Sequence, residues 1–233
     1  MKVRFALILT LLAALLGATA CKKDKTEEQT SAKPASTTTA TPAAAPAPAS
    51  TPAAAPADAN AAAAETTAKM AAAEWAMKQD EIKHDPNGQW AIQATASSTY
   101  GDAQGTASWS PNQAAGAPNV DNYGDNGNAW TTKTPDSGIE WLDLKFPKPV
   151  HATEVRVRES CGSGAVIKVE VFDGQGTAHA VWQGNDPTTE LNYLMVKLPK
   201  TTFKTDRVKI TLATNVVAGW NEIDAVQLVG TDQ

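Results

Sequence analysis

Beyond about residue 90 the chain alternates apolar and polar residues in short runs, and the runs are separated by Gly, Pro, Asn and Asp. Val155/Val157, Ile167/Val169/Val171, Val208/Ile210/Leu212 and Val226/Leu228 recur at period two, which places one face of a strand in a core and the other in water. The pattern predicts strands over Ile139–Phe146, Ala152–Arg158, Val166–Phe172, His179–Trp182, Leu191–Leu198, Arg207–Leu212 and Ile223–Val229. Turn signals fall between them at Phe146-Pro-Lys-Pro, Asp173-Gly-Gln-Gly, Gly184-Asn-Asp-Pro and Leu198-Pro-Lys. Short, evenly spaced strands with no helical period predict an all-β antiparallel sandwich or barrel. The ~140 residues available suffice for one such core.

The first ninety residues have three other textures. Asp58 to about His84 is rich in Ala and in Glu65, Lys69, Glu74, Lys78 and Glu81, and it lacks Gly and Pro until Pro86, which predicts a helix over 58–85. Asp58 or Asn60 caps its start. Ala68, Ala71, Trp75 and Ile82 form a stripe too thin for a hydrophobic core but sufficient to dock one side of a stalk. From about Thr26 to Asn60 the chain is almost wholly Ala, Pro, Thr and Ser, and Thr41-Pro-Ala-Ala-Ala-Pro-Ala returns at Thr51. With no large apolar side chain to bury, the segment 21–57 is expected to be a disordered spacer, extended by its prolines. Residues 1–20 combine Lys2 and Arg4, an apolar run from Phe5 to Leu16, and the small residues Gly17-Ala18-Thr19-Ala20. That is a secretory signal, with an apolar stretch about half the ~20 residues of a bilayer span.

Composition narrows the function classes. Against 20 Lys and Arg stand 25 Asp and Glu, a net charge of −5, which supplies no basic field for nucleic acid. The three histidines, His84, His151 and His179, are scattered, and Gly-x-Ser-x-Gly, His-Glu-x-x-His and Cys-x-x-Cys are absent. A non-catalytic role is therefore expected. The two cysteines are Cys21 and Cys161. If Cys21 is modified, Cys161 is a free thiol, an intermolecular bridge or a small buried side chain.

Two resemblances extend this reading. Ala18-Thr19-Ala20-Cys21 resembles the bacterial lipobox, with Ala18 where the pattern more often has Leu. It implies cleavage before Cys21, lipidation of that residue and a membrane anchor made of acyl chains. By the same resemblance Lys22, in place of a retaining Asp, implies the outer membrane, facing the periplasm or the outside. Further on, Pro111-Asn-Gln-Ala-Ala-Gly-Ala-Pro, Gly124-Asp125, Ala129-Trp130-Thr-Thr-Lys-Thr-Pro-Asp and Glu140-Trp-Leu-Asp-Leu-Lys-Phe occur in order. They are followed by Val155-Arg-Val-Arg-Glu, Gly164-Ala-Val-Ile-Lys-Val-Glu-Val and Trp220-Asn-Glu-Ile-Asp-Ala-Val-Gln-Leu-Val-Gly. Over 89–230 this series resembles the galactose-binding-like jelly rolls, the superfamily of discoidin and coagulation-factor C-type domains. The resemblance implies an antiparallel jelly-roll β-sandwich. It also implies a structural calcium held by the loop 119–128 and by an acid near the last strand, Glu222.

That loop, Asn119-Val-Asp-Asn-Tyr-Gly-Asp-Asn-Gly-Asn128, is the densest oxygen cluster in the chain. Asn119, Asp121, Asp125 and Glu222 suit a hard cation, which takes six to eight oxygens. An ordinary Asn/Asp/Gly turn explains the same residues. For ligand binding, Trp109, Tyr123 and Trp220 stand in loop-like sequence, where an aromatic face stacks on a sugar ring, and Arg158 would rim the site beside Glu159 and Cys161. Loop packing explains the same aromatics equally well. Trp130, Trp141 and Trp182 lie in or beside strands and are expected in the core. The functional expectation is a lipid-anchored binding module of the cell envelope that recognises a glycan. Its alternative is an assembly protein that docks an envelope partner through the sandwich or the stalk helix.

Overall fold

The computed structural model describes residues 57–233; the signal, Cys21 and all of the spacer but its last residue lie outside the described residues. The described chain divides into two units at Gly88/Gln89. The first contains α1, Ala57–Lys83. Its Ala-rich composition carries it, together with a Glu65–Lys69 pair at 2.7 Å one turn apart. Of the stripe Ala68, Ala71, Trp75 and Ile82, only Ile82 is buried. Among the described residues no helix is long and apolar enough to cross a membrane.

The second unit contains nine strands: β1 Gly88–Trp90, β2 Gln93–Ala96, β3 Trp130–Thr131, β4 Ile139–Cys161, β5 Val166–Phe172, β6 Ala178–Gln183, β7 Asn192–Lys197, β8 Thr205–Ala213 and β9 Glu222–Thr231. β2 and β4, β3 and β9, β4 and β7, β4 and β8, β4 and β9, β5 and β6, and β5 and β8 all pair antiparallel. The two-sheet architecture turns on β4. Its first half lies between β2 and β8, whose far side continues to β5 and β6. Its second half lies between β9 and β7, and β1 and β3 also pair with β9. The expected turn at Phe146-Pro-Lys-Pro is instead the place where one strand leaves one sheet and enters the other. Ladder pairing with β8 is interrupted between Lys145 and Val150, which accommodates prolines that cannot donate to a ladder. The result is the jelly-roll sandwich, with Leu142, Leu144, Val155, Val157, Val169, Ile210, Leu212, Val226 and Leu228 among its fully buried core.

Bulges at the end of β4 decide which side chains face out. Between Ala152 and Glu154 the strand carries one residue more than β9, so the core parity moves from even positions (Leu142, Leu144) to odd ones (Val155, Val157). At Arg158/Glu159 the extra residue belongs to β9 and is Asp224, so Ile223 and Val226 both reach the core. Asp224 therefore joins Arg158, Arg156 and Gln227 on the outer face of this sheet. That face is closed over by the loop 119–126, and Asp224, Arg158 and Gln227 are all buried.

The aromatics sort accordingly. Trp130 is fully buried and donates from Nε1 to Ser98 O, and Trp182 packs against the core. Trp141 is not a core residue: it has the outward parity next to Leu142, and Lys209 Nζ sits 4.7 Å from its ring centre. Cys161 is buried and forms no disulfide.

Candidate functional site

β3 and β9 build the floor of the site. Trp130 pairs with Ile223 and Thr131 with Glu222, so Thr131 and Glu222 are adjacent at the sandwich end and Trp220 stands just ahead of them. The loop from Tyr100 to Trp109 returns to the same place. Tyr100 N donates to Thr131 O at 3.1 Å, and Trp109 forms an isolated parallel bridge with Trp130. The turn into it requires glycine at 101, where a Cβ would lie 2.1 Å from Ser108 O. Trp109 itself is held at φ 59°, a left-handed conformation that costs a bulky residue ~1–2 kcal/mol. Its carbonyl is clamped by Thr99 Oγ1 at 2.8 Å and its amide donates to Gly127 O at 2.9 Å.

These elements enclose a pocket of about 140 Å³ lined by Tyr100, Trp109, Asp125, Thr131, Trp220 and Glu222. Tyr100 meets both indoles edge-on, with ring centres 5.4 Å apart and planes at 78° to Trp109 and 81° to Trp220. Tyr100 remains 59% exposed at the mouth. Trp109 Nε1 donates to Asp125 Oδ1 at 3.1 Å, and Asn126 N donates to Glu222 Oε2 at 3.1 Å. Glu222 Oε1 is buried with no hydrogen bond made to it. Burial, opposed by the Asn126 amide and reinforced by the neighbouring Asp125, pushes Glu222 up to about 8.

Of the sequence candidates, Trp109 and Trp220 are thus brought together, and Asp125 and Glu222 join them. Tyr123 does not line the pocket: it is 46% exposed, and its hydroxyl accepts from Gly162 N at 3.0 Å. Gly162 needs no side chain there, since a Cβ at its φ of 55° would lie 2.2 Å from Trp220 O. Arg158 does not rim the pocket either. It is buried on the outer face, with Nε 2.9 Å from Asp224 Oδ2 and Nη2 donating to Val120 O at 2.9 Å. The Asp224 carboxylate accepts from Asn119 N at 3.2 Å and Val120 N at 3.4 Å. Burial pushes Asp224 up to about 6, although those amides and Arg158 pull the other way.

The proposed calcium ligands consequently fall into two pairs. Asn119 and Asp121 interact with Asp224, and Asp125 interacts with Glu222. Among the described residues no group of three or more His, Cys, Asp or Glu side chains is gathered to hold a metal. The loop has another fastening: the Asp224–Arg158 pair, the Asn126–Glu222 bond and Gly124 N donating to Ser160 O at 2.8 Å. A third acid, Glu159, is buried beside Asp186 and Thr188. Burial, with Asp186 adding to it, pushes Glu159 up to about 9.

Tyr100 is the pocket residue that sequence reasoning missed. Its signal was the same as that of Trp109, an aromatic flanked by Ser, Thr, Gly and Asp in loop-like sequence.

A family model described as Pappalysin-1, SD scarf domain, C-terminal, matches residues 79–233, well over half of the chain. No curated protein matches. Among solved structures, the chain is similar to chitosan-binding module 1 of the chitosanase/glucanase from Paenibacillus sp. IK-5, at 14% identity and TM-score 0.44, covering 60% of this chain and 95% of that one. It is similar to the family 32 carbohydrate-binding module of C. perfringens NanJ in complex with galactose, at 16% identity and TM-score 0.44, covering 60% and 98%. The Ruminococcus gnavus GH29 fucosidase E1_10125 in complex with fucose matches at 16% identity and TM-score 0.46, covering 66% of this chain and 28% of that one. None of these assigns a ligand to this chain.

Proposed function

The chain belongs to the Pappalysin-1 SD scarf domain, C-terminal, family, and from that premise we propose that it is a non-catalytic glycan-binding module, lipid-anchored at Cys21 to the bacterial outer membrane. The observation that carries the binding role is the end pocket, where Tyr100, Trp109 and Trp220 stand around two carboxylates. Indole and phenol faces offer flat apolar area to the C–H face of a sugar ring. Carboxylate oxygens accept from its polar hydrogens, and a few placed polar groups in an aromatic pocket are the usual means of fixing orientation. The pocket is smaller than the ~300–1,000 Å³ of drug-sized sites, so it seats one ring of a chain.

The spacer's extension, ~3.1 Å per residue where polyproline-like, would carry the module away from the lipid surface toward its target. Nothing in the pocket supplies a nucleophile with its base. Asp125 is already engaged by an indole, and Glu222 is buried against it.

The test is a glycan array probed with the full mature chain and with Trp220→Ala. Binding should be lost in the variant while its melting temperature stays near that of the parent. A collapse of stability of the size expected for a core aromatic, ~3–5 kcal/mol, would make Trp220 a packing residue and remove the platform. The anchor is tested separately. Cys21→Ser should leave an uncleaved or mislocalised precursor, and mass spectrometry of the parent should find an acylated Cys21; an unmodified mature N-terminus refutes the anchor.

A further inference from the structure

The unused bonding capacity of the end pocket has one chemical sense. Thr131 Oγ1 is committed to Asn221 O at 2.9 Å, and Trp109 Nε1 is committed to Asp125. Lining the cavity with them are Glu222, the rest of the Asp125 carboxylate and the rings of Tyr100, Trp109 and Trp220, and no Lys, Arg or His is among the lining residues. Besides the donors of the Tyr100 hydroxyl and the Trp220 indole, these are carboxyl groups and π faces. A guest that donates to the two carboxyl groups and carries a positive charge suits both the acids and the π faces, and a cation beside Glu222 favours its ionised form.

Three guests can be compared on those terms. A sugar hydroxyl donates one bond but brings its own lone pairs and no charge. A calcium ion wants six to eight oxygens. Here the lining supplies two carboxyl groups, because Asn119 and Asp121 interact with Asp224 instead. An organic ammonium has three donors and no acceptor, and aromatic faces attract it directly.

Resting on the glycan-binding reading, we propose that the pocket selects the free ammonium group of an amino sugar. Its three donors are met by Asp125 and Glu222, and its charge is held among Tyr100, Trp109 and Trp220. Tyr100 stands edge-on to both indoles, at 78° to Trp109 and 81° to Trp220, and this three-ring corner is where the sugar ring that carries the amine would lie.

The experiment titrates the full mature chain, by calorimetry and indole fluorescence, with a glucosamine oligomer, its N-acetylated counterpart and a glucose oligomer of the same length. A lysine peptide and calcium chloride are run alongside. The amine oligomer should bind at least about tenfold tighter than the acetylated one, the order of a desolvated cation–π contact. The preference should vanish in Asp125→Asn and in Glu222→Gln, with the melting temperature of each variant measured in parallel. Asp125→Asn keeps an oxygen for Trp109 Nε1 and covers the case in which Glu222→Gln fails to fold. Equal affinity for amine and acetylated oligomers overturns the amine selectivity and leaves the glycan reading standing. Binding of the lysine peptide with no oligosaccharide overturns both. A calcium-dependent rise in melting temperature that Glu222→Gln abolishes overturns the ammonium in favour of a metal.

Discussion

Arg158→Met would strip the buried Asp224 carboxylate of the guanidinium that lies 2.9 Å from it. Even with Arg158 present, burial lifts Asp224 from 3.8 to about 6, so its ionised form is already disfavoured by roughly 3 kcal/mol in the fold. Removing one partner of a buried pair costs ~3–5 kcal/mol, because the other charge stays behind. For a domain of this size each kcal/mol is worth ~2–4 °C, so the variant should melt about 10 °C below the parent at pH 7.5. The sign of the pH dependence follows from the direction of the shift. Without Arg158 the folded Asp224 takes its proton at still higher pH, so the deficit shrinks as pH falls through that higher value to the parent's folded value of about 6 and is level below it, the unfolded value being common to both chains. At pH 5 the deficit should be about half that at pH 7.5. Asp224→Asn added to Arg158→Met should recover part of the loss, since an amide oxygen still accepts from the Asn119 and Val120 amides. Circular-dichroism melts of the parent, the single and the double variant at both pH values decide the matter. A deficit identical at pH 5 and 7.5, or an unchanged melt at pH 7.5, would show that the pair does not fasten the 119–126 loop.

Two further outcomes follow from burial. Trp130→Ala opens a cavity in the fully buried core and should cost ~3–5 kcal/mol, read as a fall in urea midpoint; a near-parent midpoint would place Trp130 outside the core. Glu159, Glu222 and Asp224 are raised to about 9, 8 and 6, so the folded chain binds more protons than the unfolded chain between roughly pH 4 and 9. The stability they contribute is present below their unfolded values and is lost as pH rises, by up to ~1.4 kcal/mol per unit for each group within its own window. Denaturant midpoints should therefore fall between pH 5 and 9, and a rise over that range would refute the assignment.

The strands of the sandwich were legible because one face of each is wet. Val166–Phe172 is β5 to the residue, and β6, β7, β8 and β9 depart from the expected runs by a residue or two. β1, β2 and β3 were not legible. Each has four residues or fewer, too short to display a period. The fusion of two expected strands into β4 was hidden by Pro147 and Pro149, which read as a turn when nothing indicates that the strand changes sheets there. The misplacement of Trp141 has the opposite cause. Its place in a strand suggested the core, whereas alternation with Leu142 already put it on the other face, where Lys209 Nζ sits against its ring.

For the site, residue type was informative and partnership was not. Trp109, Trp220, Asp125 and Glu222 were all singled out, but as members of two separate sets, aromatics for a sugar and oxygens for a metal. They come together only because β3 pairs Thr131 with Glu222 and because Trp109 bridges to Trp130 in a left-handed conformation that no local sequence rule assigns to tryptophan. Arg158 was drawn toward the rim by its place next to the Gly162–Gly164 turn. The bulge at Asp224 gives it a different position: one extra residue in β9 turns that carboxylate outward, opposite Arg158, and the loop then closes over both. A single inserted residue thus separates the two acids of β9 by role. Asp224 receives a guanidinium and fastens the loop, whereas Glu222, two positions earlier, receives the Asn126 backbone amide and lines the aromatic pocket beside Asp125 with no cation among its neighbours there. The acid with a cation already beside it is the structural one, and the acid without one lies where a cationic guest would enter.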